Sequence, residues 1–161
     1  MARDALLRRP PLSMISVILI GFSLLAATVC VNALGLAALL RYLQQTRPAA
    51  SSGIWPITWL LIRTAWALIA IHGIGIAIWA AAYLLIGAMP DAESAFYFSG
   101  VTYTTVGYGD LVLPLRWRML GPLEGMTGIL MCGLSGAFFF AVVVRTFGFK
   151  ANDQGLDMPE R

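Results

Sequence analysis

The sequence predicts an all-α membrane protein with three transmembrane helices and one short helix that enters the membrane without crossing it. Of the 161 residues, 59% are hydrophobic and only 12% are charged, about half the charged fraction of a typical soluble domain. Residues 12–40, 64–90 and 125–144 contain no charged side chain. Each run holds the roughly 20 residues that a helix needs to cross the hydrocarbon core.

The first helix is expected at residues 12–42. It is apolar on all faces, so it should span the membrane rather than lie on its surface. Its apolar run is about twice as long as the core of a secretory signal peptide. We therefore interpret it as a transmembrane helix that the mature protein keeps.

The second helix is expected to end near residue 86, after a small and polar loop at residues 43–53. Residues 54–63 precede this helix, and their Trp55 and Arg63 are typical of the membrane–water interface, where indole and guanidinium groups contact lipid headgroups. His72 lies in the middle of the apolar run. An intramembrane histidine is either a functional group or a neutral imidazole bonded to a neighbouring helix, and the sequence leaves both interpretations open.

The short helix is expected at residues 92–104. Asp91 is a favourable N-cap residue, and Glu93 places a negative charge in the first turn, where the helix dipole stabilises it. A helix of about 13 residues is too short to span a membrane. The chain after it must then continue at membrane depth in a non-helical form, which is tolerated only where protein buries it or water lines it.

Residues 105–110 read Thr-Val-Gly-Tyr-Gly-Asp, and this motif is the most informative part of the sequence. An extended backbone points successive carbonyls in opposite directions, so carbonyls can share one side only if some residues leave the usual φ/ψ regions. Gly107 and Gly109 can do so because they have no Cβ. The hydroxyl of Thr105 adds one more oxygen. Such a row of oxygens suits a dehydrated cation; the structural alternative is a glycine-rich hairpin turn.

Together with Thr102, the motif resembles the selectivity filter of the potassium channel family. The resemblance extends over residues 58–147, and it implies that residues 92–104 form the pore helix and residues 121–147 the inner helix. Because one chain supplies one quarter of such a filter, it also implies a homotetramer.

The resemblance implies roles for the residues of the filter. It places K⁺ at the carbonyls of Thr105, Val106, Gly107 and Tyr108, and it places Asp110 at the mouth. The side chains of Val106 and Tyr108 would point away from the pore axis.

Four residues before the filter are implied to support it. Two are threonines, Thr102 and Thr104, and two are aromatic, Tyr97 and Phe98. The aromatic pair is expected to pack on Tyr108, and contact with lipid is the alternative.

In this family the inner helix bends at a glycine to open the pore, and the candidate hinges are Gly133 and Gly128. We favour Gly133, whose surroundings resemble the hinge segment of the family. Tight helix packing is the alternative for both glycines. Thr127, Leu134 and Ala137 are candidates for lining the central cavity.

Glu124 is the only carboxylate expected within the inner helix. One interpretation is a first-turn acid that caps the helix. The other is a partly buried, pH-sensitive group that affects gating, its charge compensated by Arg116 or Arg118.

The chain divides into residues 1–53, with a polar head, an extra transmembrane helix and a loop; residues 54–147, the pore domain; and residues 148–161, a short polar tail. The net charge of +3 lies mostly on arginines at the ends of apolar runs, as in membrane flanks, so nucleic acid is not an expected partner. No catalytic pair, metal-ligand spacing or phosphate-binding loop is found in the sequence. We expect neither an enzyme nor a cofactor.

The implied function is passive conduction of K⁺ through the lipid bilayer of a prokaryotic plasma membrane, with the N-terminus outside. Three alternatives stay open. A weakly selective cation channel usually lacks the Tyr or the second Gly of the motif. A non-conducting membrane subunit could share the fold. An ion-coupled transporter usually carries four such motifs in one long chain.

Overall fold

The computed structural model describes residues 14–45 and 54–153, with side chains up to residue 146. Its four α-helices are α1 (Met14–Gln45), α2 (Ile54–Leu85), α3 (Ala92–Tyr103) and α4 (Leu120–Asp153), and a short 3-10 turn covers Leu115–Trp117. Among the described residues, three helices are long and apolar enough to cross a membrane: α1, α2 and α4 as far as Thr146. The prediction of an all-helical protein with three such helices is confirmed.

Two helices are longer than the sequence suggested. The tryptophan-rich stretch that begins at Ile54 belongs to α2 itself, which is 32 residues long. At the other end, α4 continues to Asp153 and so enters the segment that we expected to be a polar tail. Residues 148–153 contain no proline, so nothing covalent interrupts the helical hydrogen bonds there. The predicted loop at residues 43–53 lies outside the described residues from residue 46 onward.

The extra helix α1 packs against both α2 and α4. Gly21 of α1 lies directly against the side chain of Leu123, and Gly35 lies against Ile71 of α2. Small residues at such crossings let two helix backbones approach closely. These contacts place the start of α1, the end of α2 and the start of α4 at the same end of the molecule.

The short helix α3 is held in a slot between α2 and α4. Its inner side contributes to a buried core in which Phe98 meets Tyr83 edge to face, with ring centroids 5.3 Å apart, and Tyr83 in turn contacts Trp79. Edge-to-face pairs add roughly 0.5–1.5 kcal/mol to the burial of the rings themselves. The core therefore fixes α3, and with it the point where the chain leaves α3.

The first turn of α3 is capped as the sequence predicts. A carboxylate oxygen of Asp91 accepts a hydrogen bond from the backbone N–H of Ser94 at 2.8 Å, and the other accepts from the Ser94 hydroxyl at 2.9 Å. These bonds hold the pKa of Asp91 below its usual range. Glu93 lies in the first turn. The hydrogen bonds of Asp91 and the negative charge of Glu93 thus stabilise the end of α3 that lies farthest from residues 105–110.

Candidate functional site

The backbone after α3 has an alternating conformation. Positive φ angles occur at Thr105 (61°), Gly107 (57°) and Gly109 (79°), whereas Val106 and Tyr108 between them have none. When the backbone alternates in this way between left-handed and other φ angles, successive carbonyl groups can point to the same side of the chain. The expected positive φ angles at Gly107 and Gly109 are confirmed. The one at Thr105 could not be foreseen, because a β-branched residue rarely adopts such an angle.

The hydrogen bonds of this segment separate its donors from its acceptors. The N–H of Thr105 donates to the Thr102 carbonyl at 3.0 Å, and the N–H groups of Val106 and Gly107 both donate to the Val101 carbonyl, at 3.0 and 3.3 Å. The donors thus point back to the end of α3.

No hydrogen bond within the described part of the chain ends on a carbonyl of residues 105–108. Unpaired carbonyls are uncommon in proteins unless solvent or a ligand satisfies them. These four oxygens, with the nearby Thr105 hydroxyl, are therefore available as ligands for a cation.

Tyr97 and Asp110 form the rim of the site. The Tyr97 hydroxyl donates to a carboxylate oxygen of Asp110 at 2.7 Å, and the second carboxylate oxygen accepts from the N–H of Leu111 at 3.0 Å. The hydrogen bond from Tyr97 is the main reason that the pKa of Asp110 lies below its usual range, and the same bond raises the pKa of Tyr97. Tyr97 thus braces the segment through Asp110.

The other support residues have different contacts within one chain. Phe98 turns toward Tyr83 of α2 and is buried. The side chain of Tyr108 is 72% exposed, and no ring contact joins it to Tyr97 or Phe98 among the described residues. Thr104 closes α3 by donating its hydroxyl to the Gly100 carbonyl at 2.7 Å.

Glu124 lies behind α3, where it is completely buried. One carboxyl oxygen contacts the hydroxyl of Tyr83 at 2.6 Å, and the other contacts the hydroxyl of Ser99 at 2.5 Å. A single side chain of α4 is thus joined to α2 and to α3. No pattern in the sequence points to this arrangement, since neither Tyr83 nor Ser99 has a distinctive spacing from Glu124.

The interpretation of Glu124 as a first-turn cap is wrong. The first turn of α4, which begins at Leu120, contains no acidic residue, and the carboxyl group contacts side chains of other helices. Neither arginine that we considered lies against it. Arg116 is stacked over the ring of Trp117 at 5.2 Å, and Arg118 donates to the Leu113 carbonyl at 3.4 Å.

His72 is bonded to a neighbouring helix, which is the plainer of its two interpretations. Its Nδ1 lies 3.4 Å from the hydroxyl of Tyr103, the last residue of α3, and the ring centroids are 6.0 Å apart. The Tyr103 side chain is 1% exposed. The contact between His72 and Tyr103 is therefore a polar contact that holds α3 against α2.

The two candidate hinge glycines have different surroundings. Gly128 lies so close to the Tyr103 carbonyl that a Cβ would overlap it, whereas a Cβ at Gly133 would have no atom within 4 Å. Packing on α3 is therefore enough to explain Gly128. The choice of Gly133 as a hinge stays a prediction.

One proposed lining residue of a central cavity does not fit that place. Thr127 is completely buried within its own chain, and its hydroxyl donates to the Leu123 carbonyl at 2.7 Å. It therefore faces the neighbouring helices. Leu134 and Ala137 are exposed in the single chain and are free to face a cavity.

Residues 71–148 match a family model described as an ion channel. No curated protein and no solved structure matches the chain. The matched range contains the C-terminal part of α2 from residue 71, all of α3, the 105–110 segment and the part of α4 up to residue 148. The matched range therefore includes the carbonyls of residues 105–108, which accept no hydrogen bond within the described part of the chain.

The close approach of Gly128 to α3 predicts opposite effects for two similar substitutions. Gly128→Ala should lower the free energy of unfolding by about 1–3 kcal/mol, because the new methyl group forces apart two packed backbones. Gly133→Ala, the matched control, should be neutral or stabilise by up to about 1 kcal/mol, because alanine favours helix and meets no neighbour. Thermal unfolding of the two purified variants in one detergent compares them. Equal melting temperatures would contradict the described packing.

The contact between Tyr97 and Asp110 predicts a shift in titration. Tyr97→Phe removes the hydrogen bond that favours the carboxylate, so the pKa of Asp110 should rise toward its ordinary value. In the wild type the bond stabilises the fold at pH values above the ordinary pKa of an aspartate. This stabilisation is lost as the pH falls through the lowered pKa of Asp110. NMR titration of aspartate labelled with ¹³C at the carboxyl carbon measures the change, with Asp91 as an internal control. If Asp110 titrates identically in both proteins, the bond is not present in the membrane protein.

Proposed function

We propose that this chain, whose residues 71–148 match a family model described as an ion channel, is a potassium-selective channel. The observation that carries the proposal is the set of four carbonyls at residues 105–108, none of which accepts a hydrogen bond from the described chain. A potassium ion that loses its hydration shell needs such oxygens in its place. The motif Thr-Val-Gly-Tyr-Gly-Asp is the one that selective filters use.

Conduction through this site is passive. Dehydrated K⁺ moves between successive rings of carbonyl oxygens, and the hydroxyl of Thr105 contributes to the innermost ring. The carboxyl end of α3 lies directly before Thr105. The partial negative charge at this helix end stabilises a cation in the cavity below the filter.

Four chains are needed to complete each ring, so we infer a homotetramer with fourfold symmetry, in which each contact is heterologous and the ring closes. The exposure of apolar side chains in the single chain supports this assembly. Val106 is 52% exposed, and Ile129 and Leu130 of α4 are 61% and 57% exposed. A neighbouring copy or lipid would cover these surfaces.

The orientation follows from the direction of the filter. If its mouth at Asp110 opens outward, α4 starts outside and ends inside. Because the start of α1 lies beside the start of α4, the N-terminus is then outside too. The membrane of this assembly is, in our proposal, a prokaryotic plasma membrane.

Reconstitution in planar bilayers tests the proposal directly. With potassium on one side and sodium on the other, the current should reverse near the potassium equilibrium potential. A reversal potential near zero would instead indicate a weakly selective cation channel. The absence of any current from correctly folded protein would favour a non-conducting subunit.

Gly109→Ala should abolish selective conduction while the protein still folds. The φ angle of 79° strains any residue with a Cβ, although space for the methyl group is open. The matched control is Gly73→Ala in α2, where φ is not positive and the space is also open, and it should conduct as the wild type does. If Gly109→Ala carries selective current at the wild-type level, the backbone conformation described for Gly109 is not the one that conducts.

A further inference from the structure

We propose that Glu124 is a proton-binding site, and that the neutral carboxylic acid is the form that holds α3 and the filter in the conducting arrangement. The effect on the filter rests on the proposed function. The protonation itself follows from geometry and does not depend on conduction.

The first argument is a count of hydrogen atoms at Ser99. Its hydroxyl oxygen lies 2.9 Å from the Ile76 carbonyl and 2.5 Å from a carboxyl oxygen of Glu124. A serine hydroxyl has one hydrogen, and neither a carbonyl nor an ionised carboxylate can donate another. Each contact has a hydrogen of its own only if Glu124 carries a proton and donates it to Ser99, which then donates to Ile76.

The second oxygen of Glu124 fits the same assignment. It lies 2.6 Å from the Tyr83 hydroxyl, which donates to it. The neutral acid therefore donates once and accepts once, and all three contacts are satisfied. An ionised carboxylate would leave the contact between Ser99 and Ile76, or the one between Ser99 and Glu124, without a hydrogen.

Among the described residues, none supplies a compensating positive charge to Glu124. The titratable groups that face it are two phenols, Tyr83 on α2 and Tyr103 on α3. On the loop before α4, Arg116 and Arg118 contact other groups, as described above. Residues 14–40 of α1 carry no charge.

His72 contacts Tyr103 rather than Glu124, and Asp110 is bonded to Tyr97. A buried ion without a partner is far more costly than a buried neutral acid whose hydrogen bonds are made. The charges of the described residues and the count of hydrogen atoms thus both indicate that Glu124 is protonated.

Loss of the proton would reach the filter through α3. Ser99 lies in the same helix whose carbonyls at residues 101 and 102 receive the N–H groups of the filter. Without that proton, Ser99 has a hydrogen for only one of its two contacts, so α3 loses its polar connection to α2 or the one to α4. Conduction should therefore fall as the pH rises, through loss of filter stability.

Glu124→Gln is the sharpest variant, because an amide reproduces the neutral acid. Its NH₂ group can donate to Ser99 and its carbonyl can accept from Tyr83. In vesicles, wild-type potassium flux should be lost in alkaline buffer, whereas the flux of Glu124→Gln should persist there. The matched control is Glu93→Gln, an exposed glutamate of α3, which should keep the wild-type pH dependence. If Glu124→Gln loses flux over the same range as the wild type, the proposed regulation is wrong.

Infrared spectroscopy tests the protonation without any need for conduction. At neutral pH the wild type should show the carbonyl stretching band of a protonated carboxylic acid, and uniform ¹³C labelling of glutamate should shift that band. The labelling needs no mutation, so it stays decisive even if Glu124→Gln does not fold. A wild-type spectrum without this band at neutral pH would overturn the proposal, whereas a band in a protein that conducts no potassium would refute only the proposed function.

Discussion

The carbonyl oxygens of residues 105–108 accept no hydrogen bond within the described chain, and other contacts of the fold have to hold this segment in place. A backbone that gives up its acceptors loses the hydrogen bonds that would normally stabilise it. Here the N–H groups of the same segment are anchored on the carbonyls at the end of α3. The position of this segment therefore depends on the position of α3, and the contacts that hold α3 also hold the segment.

Several independent contacts hold α3 in its slot. Asp91 caps its first turn, Phe98 is buried against Tyr83, and Tyr103 is bonded to His72. Glu124 adds a polar tie that reaches both α2 and α3. Because buried hydrogen bonds are directional, such a tie specifies one position of the helix, whereas apolar packing alone tolerates small displacements. The extra helix α1 lies against α2 and α4, the two helices that form the slot.

The sequence was a good guide wherever one residue type answers one physical demand. Apolar runs predicted the spans, Asp91 predicted the start of α3, and Gly107 and Gly109 predicted positive φ angles. It was a poor guide to contacts between distant residues. Of the two interpretations of Glu124, the cap rested only on its neighbours in the chain, and Thr127 gave no sign of the face that it occupies. The helical continuation to Asp153 was missed because polar composition was taken to mean the absence of structure.

The most direct test of the central claim is to locate the ions. Crystals of the purified protein grown with rubidium, a potassium analogue that scatters anomalously, should show a row of peaks on the fourfold axis beside the carbonyls of residues 105–108. Crystals grown with sodium alone should lack an equivalent row. Rubidium peaks elsewhere, or carbonyls at residues 105–108 that are hydrogen-bonded within the protein, would contradict the claim that these oxygens form the potassium site.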